Sequence, residues 1–534
     1  MTDCLIVGYN AANYQDYIDM IKSMGVETGN YRDVRLHHIE HEGKAFRSMD
    51  VINYFRAKNN VGSKKPLHNF DFLMPTILYL GSYLSKRGFT FDFVNMFHYE
   101  KDLLKEKLIH GKIRTIAIAT TMYVTPQPII EIISFIRNYN KEAKIIVGGP
   151  YVLNVMNGTA SQKEAERVLK FIGADFYVIN SEGEAALAQL IPEIKKGGKN
   201  YKAIDNIAYK EDDKLIFTNA GEENNILENN RIDYSLFNKK DLGRFISLRT
   251  SKSCPFACTY CGFHERGGKY RFLSGRCIEE ELDAIYNSGD VEMLTFVDDT
   301  FNVPKDRFKE ILGIMIRKQY NFKWNCFYRS DFSDDETIKL MKEAGCEGVF
   351  LGAESGNETV LKNMNKSARP KDILRAVPKF REAGILTHMN FIIGFPGETE
   401  ASVQDTIHLI REARPDFYTA QLWYCDPITQ IYRSADQYGI KGSAFGWTHN
   451  TMDYKQACHL LEKVFLSIDS SIWSPLDGFA FWSVMYLQKK GMSIEQVKEF
   501  LKCFQEVIKL QMLDTNLHSI PDDLALRLKE ICNF

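Results

Sequence analysis

Two periodicities alternate along the first half of this chain. Short apolar stretches at 90–95, 115–120, 143–149 and 175–179 read as strands, while apolar residues at helical spacing over 76–85, 126–138 and 162–172 read as helices. Strands separated by helices imply right-handed crossovers and a parallel, doubly wound sheet, so residues 71–215 are predicted to form a Rossmann-like α/β domain. Residues 1–70 open on the apolar run Cys4-Leu-Ile-Val-Gly8 and then turn polar and irregular, which reads as a leader packed against other domains. Residues 216–243, with a stretch rich in Glu and Asn, read as a linker. The alternation returns with strands at 245–250, 293–299, 323–329, 348–353, 387–394 and 417–423. Helices at 276–287, 304–318, 335–344, 370–383 and 401–413 stand between them, making six β/α units over 244–424. From 425 to 534 the pattern is mostly helical, and these helices are expected to close one mouth of the second unit.

A length of 534 residues suits this division, at roughly 150 residues per domain. Composition excludes more than it selects. A net charge of −2 with 25% charged residues gives no basic field for nucleic acid or an anionic membrane. No apolar run approaches the roughly 18 residues of a membrane span. The first ten residues lack the cationic and apolar regions of a signal peptide, and the 11 Cys are scattered rather than framed for disulfides, so a reducing, cytoplasmic setting is expected.

The informative chemistry lies directly after the strand at 245–250, in the run Cys254-Pro-Phe-Ala-Cys258-Thr-Tyr-Cys261-Gly-Phe263. A C-x3-C-x2-C triplet supplies three thiolates to a [4Fe–4S] cluster and leaves the fourth iron open to a small molecule. Zinc sites usually need paired C-x2-C units, and no second pair stands in this chain. Tyr260 and Phe263 place aromatic walls beside the cysteines, where they limit solvent access.

This motif resembles that of the radical S-adenosylmethionine (SAM) superfamily. The resemblance implies that the open iron chelates the amino and carboxylate groups of SAM, that an electron from the cluster cleaves SAM to a 5′-deoxyadenosyl radical, and that the six β/α units form an incomplete (β/α)6 TIM barrel. Reacting groups in barrels lie at the carboxyl ends of strands. Asp298-Asp299-Thr300-Phe301 closes the second unit, as a helix cap or as a contact to ligand. Arg329 closes the third, where its cation meets either the SAM carboxylate or a plain salt-bridge partner. Gly352-Ala-Glu354-Ser355 looks like the family's G-x-E-S element, whose carboxylate contacts SAM in the manner of a ribose-binding acid. Gly394-Phe-Pro396-Gly-Glu398-Thr399 looks like the turn that in relatives approaches the adenine and methionyl parts of SAM. Tyr260, Phe263, Arg329, Glu354, Ser355, Gly394 and Pro396 are thus the expected SAM and cluster neighbours. The aromatics Trp423, Tyr424, Trp447, Trp473 and Trp482 are expected mainly in the core.

The first domain looks like the cobalamin-binding domain that precedes the cluster motif in one large radical SAM class. Small or polar segments stand where its strands end: Thr120, Thr121 and Tyr123; Gly148 and Gly149; Glu182 and Gly183. These are the expected cobalamin contacts. The loop after the second strand, Val94-Asn-Met-Phe-His98-Tyr-Glu100, lacks the D-x-H-x-x-G spacing of a cobalt-ligating histidine, which leaves no obvious lower ligand.

Together the resemblances imply a cobalamin-dependent radical SAM methyltransferase carrying a [4Fe–4S] cluster, SAM and cobalamin. The opening residues and polar leader look similar to the phosphinate P-methyltransferase branch of natural-product pathways. The expected partners are a small-molecule or carrier-bound substrate and an electron donor such as flavodoxin or ferredoxin, with the protein a monomer or weak dimer. Methylthiotransferases carry similar turns but need a further N-terminal cysteine triad, whereas only Cys4 precedes Cys254 here. Ring contraction or oxidative cyclisation on the same cofactors stays open as an alternative, and a cobalamin or cluster sensor is the non-enzymatic one.

Overall fold

The computed structural model describes residues 2–61, 66–159, 161–198, 200–223, 225–476 and 481–534. Its first sheet has seven strands, in spatial order Phe91–Met96, Cys4–Tyr9, Thr115–Ala119, Lys144–Gly148, Phe176–Val178, Ile207–Glu211 and Lys214–Phe217. The first five run parallel, and the last two add an antiparallel hairpin. The helices Gln127–Tyr139 and Gln162–Ile172 cross between the strands as their apolar spacing predicts.

One expectation is corrected here. The apolar run at Cys4 is no leader: Cys4–Tyr9 lies inside the sheet, pairing with Phe91–Met96 on one side and Thr115–Ala119 on the other. A run as short as six residues reads equally as a strand or a packed loop, and only the long-range pairing decides. The predicted linker is corrected at its start, because Lys214–Phe217 is the last strand of this sheet.

Residues 10–61 leave Cys4–Tyr9, which lies next to the sheet edge, and pack against the carboxyl-terminal region. Arg32 forms a 2.7 Å ion pair with Glu462, Asp33 accepts from the Leu422 N–H at 2.7 Å, and Trp473 Nε1 donates to the Leu36 carbonyl at 2.9 Å. The segment ties the two ends of the chain together across the barrel.

The second sheet is the partial barrel. Six parallel strands follow in chain order, Phe245–Leu248, Met293–Phe296, Lys323–Tyr328, Cys346–Glu354, Leu386–Ile393 and Phe417–Leu422, and a short seventh, Ile472–Trp473, is lent by the carboxyl-terminal region. That region is otherwise mostly helical, with a small antiparallel sheet over Lys441–Ser443, Gly446–His449 and Met452–Asp453. No helix among the described residues is long and apolar enough to cross a membrane.

Alternation along Cys4–Tyr9 sets how the domains meet. Leu5 and Val7 point into a core shared with the helices of the first domain, while Cys4 and Ile6 belong to the core that continues through the barrel. With one sheet face built into the barrel core, the two carboxyl edges are held in fixed relation.

Candidate functional site

The cysteine loop is held at both ends. After the first barrel strand, Ser251–Lys252 pairs antiparallel with Arg271–Phe272, and the cysteines lie in the loop between them. Asp298, buried at the end of the second strand, accepts from the Thr250 N–H at 2.8 Å and hydroxyl at 2.6 Å, and from the Ser251 N–H at 2.5 Å and hydroxyl at 2.8 Å. Arg307 donates to Thr250 Oγ1 at 2.6 Å and to the Leu273 carbonyl at 3.1 Å, closing the other side. Asp298 is thus an anchor of the loop rather than a helix cap.

Cys254, Cys258, Cys261, Tyr260, Phe263, Arg329 and Glu354 line one cavity of about 180 Å³, together with Phe256, Asp299, Thr300, Phe327, Phe350 and Lys366 among others. A larger cavity of about 640 Å³ lies between the interdomain segment and the helix Gly275–Ser288, but none of the cysteines lines it. The donor set, not the volume, locates the chemistry.

The three thiols fit an iron–sulfur cluster. Burial, with nearby negative charge, pushes Cys254 and Cys261 above the ordinary thiol range, so their thiolates need a compensating cation. Among the described residues no three His, Cys, Asp or Glu side chains gather as ligands of a single ion would. The three thiols line one cavity, and a [4Fe–4S] cluster would take each thiolate on a separate iron. The Phe263 N–H points at Cys261 Sγ at 3.4 Å, the kind of contact that tunes a cluster's potential.

Glu354 closes the fourth strand in a left-handed conformation, φ 63°, where the pairing with the fifth strand shifts register. Its Oε1 accepts from the Tyr260 hydroxyl at 2.9 Å and from Lys366 Nζ at 2.9 Å. Burial and the Glu354 charge hold the Tyr260 phenol well above its usual range, so it stays a donor. Arg329 is already paired: its guanidinium bonds Asp331 at 2.9 and 3.1 Å and Ser367 Oγ at 2.5 Å, and it stacks 3.6 Å from the Phe256 ring centroid. Asp299 lines the cavity and is exposed to solvent.

Other expected SAM neighbours stand back from this cavity. The Ser355 hydroxyl accepts from the Asn357 N–H at 3.2 Å, a local turn contact. In the fifth-strand turn, Gly394 has φ 90° and Gly397 φ 94°. Glu398 accepts from the Gly394 N–H at 2.5 Å, while the Pro396 carbonyl accepts from Asn363 Nδ2 at 3.1 Å. Thr399 caps the helix Glu400–Ala413. The turn reaches the site through Phe395, whose ring meets Tyr260 edge-on at 6.3 Å. Trp423, Trp447 and Trp473 are buried and Trp482 is half-buried, whereas Tyr424 is 52% exposed.

At the carboxyl edge of the first sheet, the expected residues mostly bind one another. Thr120 N and Oγ1 both donate to the Gly148 carbonyl at 2.9 Å, and a Cβ on Gly149 (φ 113°) would lie 2.9 Å from Thr120 Oγ1. Tyr123 is turned inward, donating to the Gly8 carbonyl at 3.1 Å and accepting from the Asn10 N–H at 2.7 Å. Gly183 opens the helix Glu184–Lys195, whose first N–H groups are capped by Glu223. Glu182 forms an ion pair with Lys252 beside the cysteine loop, and Asn154 accepts from Arg266 just beyond it. Thr121 is exposed, and Met122 and Val124 present 39% and 87% of their surface. His98 accepts from the Ala11 N–H at 3.2 Å and lies among the rings of Tyr9, His68 and Tyr99.

Residues 248–410 match the family model of the radical SAM superfamily. The barrel is a radical SAM domain. Such a domain works with a [4Fe–4S] cluster and SAM, and the thiol triplet of this radical SAM domain fits the cluster. An uncharacterised methyltransferase of Pyrococcus horikoshii is 28% identical over 56% of this chain and 64% of its own length. The anaerobic magnesium-protoporphyrin IX monomethyl ester cyclase of Cereibacter sphaeroides is 23% identical over 67% of this chain and 59% of its own. The chain thus spans roughly three fifths of the length of these relatives. Among solved structures, the radical SAM methyltransferase TsrM of Kitasatospora setae, bound to cobalamin and a [4Fe–4S] cluster, superposes with TM-score 0.56 at 16% identity over 82% of this chain and 78% of its own. OxsB, a cobalamin-dependent SAM radical enzyme, gives 0.52 at 17% over 79% and 59%. At such identities the two establish the shared fold.

Proposed function

We propose that this protein is a cobalamin-dependent radical SAM methyltransferase, moving a methyl group from SAM by way of cobalamin to an unactivated carbon or a phosphinate phosphorus of a small natural-product intermediate. The observation that carries the reading is the meeting of two carboxyl edges. Glu182, in the turn after Phe176–Val178, pairs with Lys252 before the cysteine loop, and Asn154, on the helix Pro150–Gly158, accepts from Arg266 just beyond it. Interfaces of this kind are the usual place for a ligand pocket. The methyltransferase name of the Pyrococcus relative and the cobalamin in TsrM and OxsB support the same reading.

When bound, the cluster supplies the electron that cleaves SAM, and cobalamin supplies the transferable methyl group. The chain's own residues bind, orient and exclude water. Cys254, Cys258 and Cys261 hold iron, while Phe256, Tyr260, Phe263, Phe327 and Phe350 wall the cavity against solvent. Glu354 receives a ribose hydroxyl, and Ser355, Gly394 and Pro396 shape the strand ends behind it. Arg329, its charge balanced by Asp331, braces the cavity wall by stacking on Phe256. On the first sheet, Thr120, Thr121, Gly148, Gly149, Glu182 and Gly183 border the cobalamin, and Met122 and Val124 offer the apolar surface a macrocycle needs. Tyr123 supports that edge from beneath. The electron donor is a small carrier such as flavodoxin or ferredoxin, and the setting cytoplasmic.

The relation to the magnesium-protoporphyrin ester cyclase favours a second reading, oxidative cyclisation without methyl transfer. Anaerobic reconstitution with iron, sulfide and hydroxocobalamin tests the common basis of both. One cluster and one cobalamin per chain are expected, and a chain that takes up iron but retains no cobalamin would contradict both readings.

A further inference from the structure

Hydrogen bonds from the cysteine loop and from three barrel strand ends converge on one helix end and the segment after it, which no motif marks. After the helix Glu358–Asn363 the chain runs through Met364, Asn365, Lys366 and Ser367. The Thr259 N–H donates to the Met364 carbonyl at 3.0 Å, and Asn365 Nδ2 donates to the Ala257 carbonyl at 2.8 Å, so the segment is bonded to the cysteine loop itself. Ser367 bonds the Arg329–Asp331 pair at the third strand, Lys366 reaches Glu354 at the fourth, and Asn363 bonds the Pro396 carbonyl at the fifth.

Lys366 is the charged member, 8% exposed and lining the cavity. An ammonium this buried needs a strong partner. It finds Glu354 Oε1 at 2.9 Å, and Tyr260 donates to the same oxygen. The other carboxylate oxygen, Oε2, takes no hydrogen bond from the described residues. Gly352 makes the pairing possible: a Cβ there would collide with Glu354 Oε1 and lie 3.0 Å from Lys366 Nζ. Both are ends of side chains, so a methyl group at 352 would displace the pair while the strand stays in place.

We propose that Lys366 is a positioning residue for SAM: with Tyr260 it pins Oε1 of Glu354 and leaves Oε2 directed into the cavity as the acceptor of a ribose hydroxyl. This rests on the reading of Glu354 as a ribose contact. Two donors on one oxygen fix the carboxylate plane, and a fixed acceptor loses less freedom on binding.

The test measures SAM affinity in the cluster-reconstituted protein without reductant, so that turnover does not enter, and follows cluster absorbance as the control for loading. It compares SAM with an analogue lacking both ribose hydroxyls in the native protein, Lys366→Met, Gly352→Ala and Glu354→Gln. The native protein should bind the analogue at least about tenfold more weakly, the loss of one charge-assisted hydrogen bond. Lys366→Met and Gly352→Ala should each weaken SAM by about tenfold and bind the analogue no worse than the native protein does. If both variants bind SAM as the native protein does while Glu354→Gln is weakened, or if their losses simply add to that of the analogue, Lys366 is not a positioning residue. If neither Glu354→Gln nor removal of the hydroxyls weakens binding, the ribose reading of Glu354 fails first. Gly352→Ala retains Lys366, so the test survives if Lys366→Met does not fold.

Discussion

The two carboxyl edges are built on opposite plans. In the barrel, strand ends send charged and thiol side chains into a cavity: the three cysteines, Asp299, Arg329, Glu354 and Lys366. In the first sheet, many of the corresponding polar groups bind one another, Thr120 on Gly148, Tyr123 on Gly8 and Asn10, Glu223 on the helix N-terminus, and the exposed residues include Thr121 beside the apolar Met122 and Val124. An edge of the first kind recognises a small polar ligand atom by atom. An edge of the second kind presents shape and apolar area, which suits a large flat ligand. The difference teaches that side-chain chemistry sits almost wholly on the barrel, and that the first domain contributes surface.

The sharpest way to break this comparison is Cys258→Ala. It should abolish cluster absorbance and formation of 5′-deoxyadenosine, while binding of hydroxocobalamin stays at the native level. Loss of both together would show that the two edges are not separable. Asp298→Ala comes next. Removing a carboxylate that accepts four hydrogen bonds from Thr250 and Ser251 should cost about 3 kcal/mol of stability and lower cluster occupancy, read by thermal denaturation and iron content.

Glu398 gives a pH-dependent test on the barrel side. Burial pushes its carboxyl up to about 8, against an ordinary value of 4.5. A raised carboxyl pKa favours the protonated fold, so this group's contribution is full below about pH 4.5 and is lost as pH rises through about 8. Native stability should therefore fall over that window, and Glu398→Gln should flatten the profile, its advantage growing towards pH 8. An unchanged slope would mean that the carboxyl titrates normally. The smallest effect is expected on the first sheet, from Gly149→Ala. A left-handed φ and the Thr120 hydroxyl at 2.9 Å make the substitution cost about 1–2 kcal/mol, with weaker cobalamin retention and unchanged cluster content.

The contrast between the edges also decided what was legible in the sequence. The barrel strands and helices were readable from their periods and the cysteine run stood out by its spacing, whereas Glu354 and the Gly394–Thr399 turn stood out only through the resemblance to the radical SAM superfamily. Cys4–Tyr9 was missed as an internal strand because a strand's place in a sheet depends on partners about ninety and one hundred and ten residues away, Phe91–Met96 and Thr115–Ala119. Lys366 was missed because a single lysine after a short helix carries no pattern, and its meaning comes from the folded contact with Glu354. Arg329 was legible as a charge, but its Asp331 partner two residues on made the pairing ambiguous until the distances were known. On the first sheet the glycines stood out, yet Gly148 and Gly149 answer in part to Val178 and Thr120 packed against them.

The central claim is that both edges serve one methyl transfer. The most direct measurement incubates the reconstituted protein anaerobically with hydroxocobalamin, a low-potential reductant and SAM carrying a deuterated methyl group, and follows S-adenosylhomocysteine and 5′-deoxyadenosine together. The account predicts both products, with the deuterated methyl recovered on cobalamin. Formation of 5′-deoxyadenosine with no S-adenosylhomocysteine and no labelled cobalamin would contradict it.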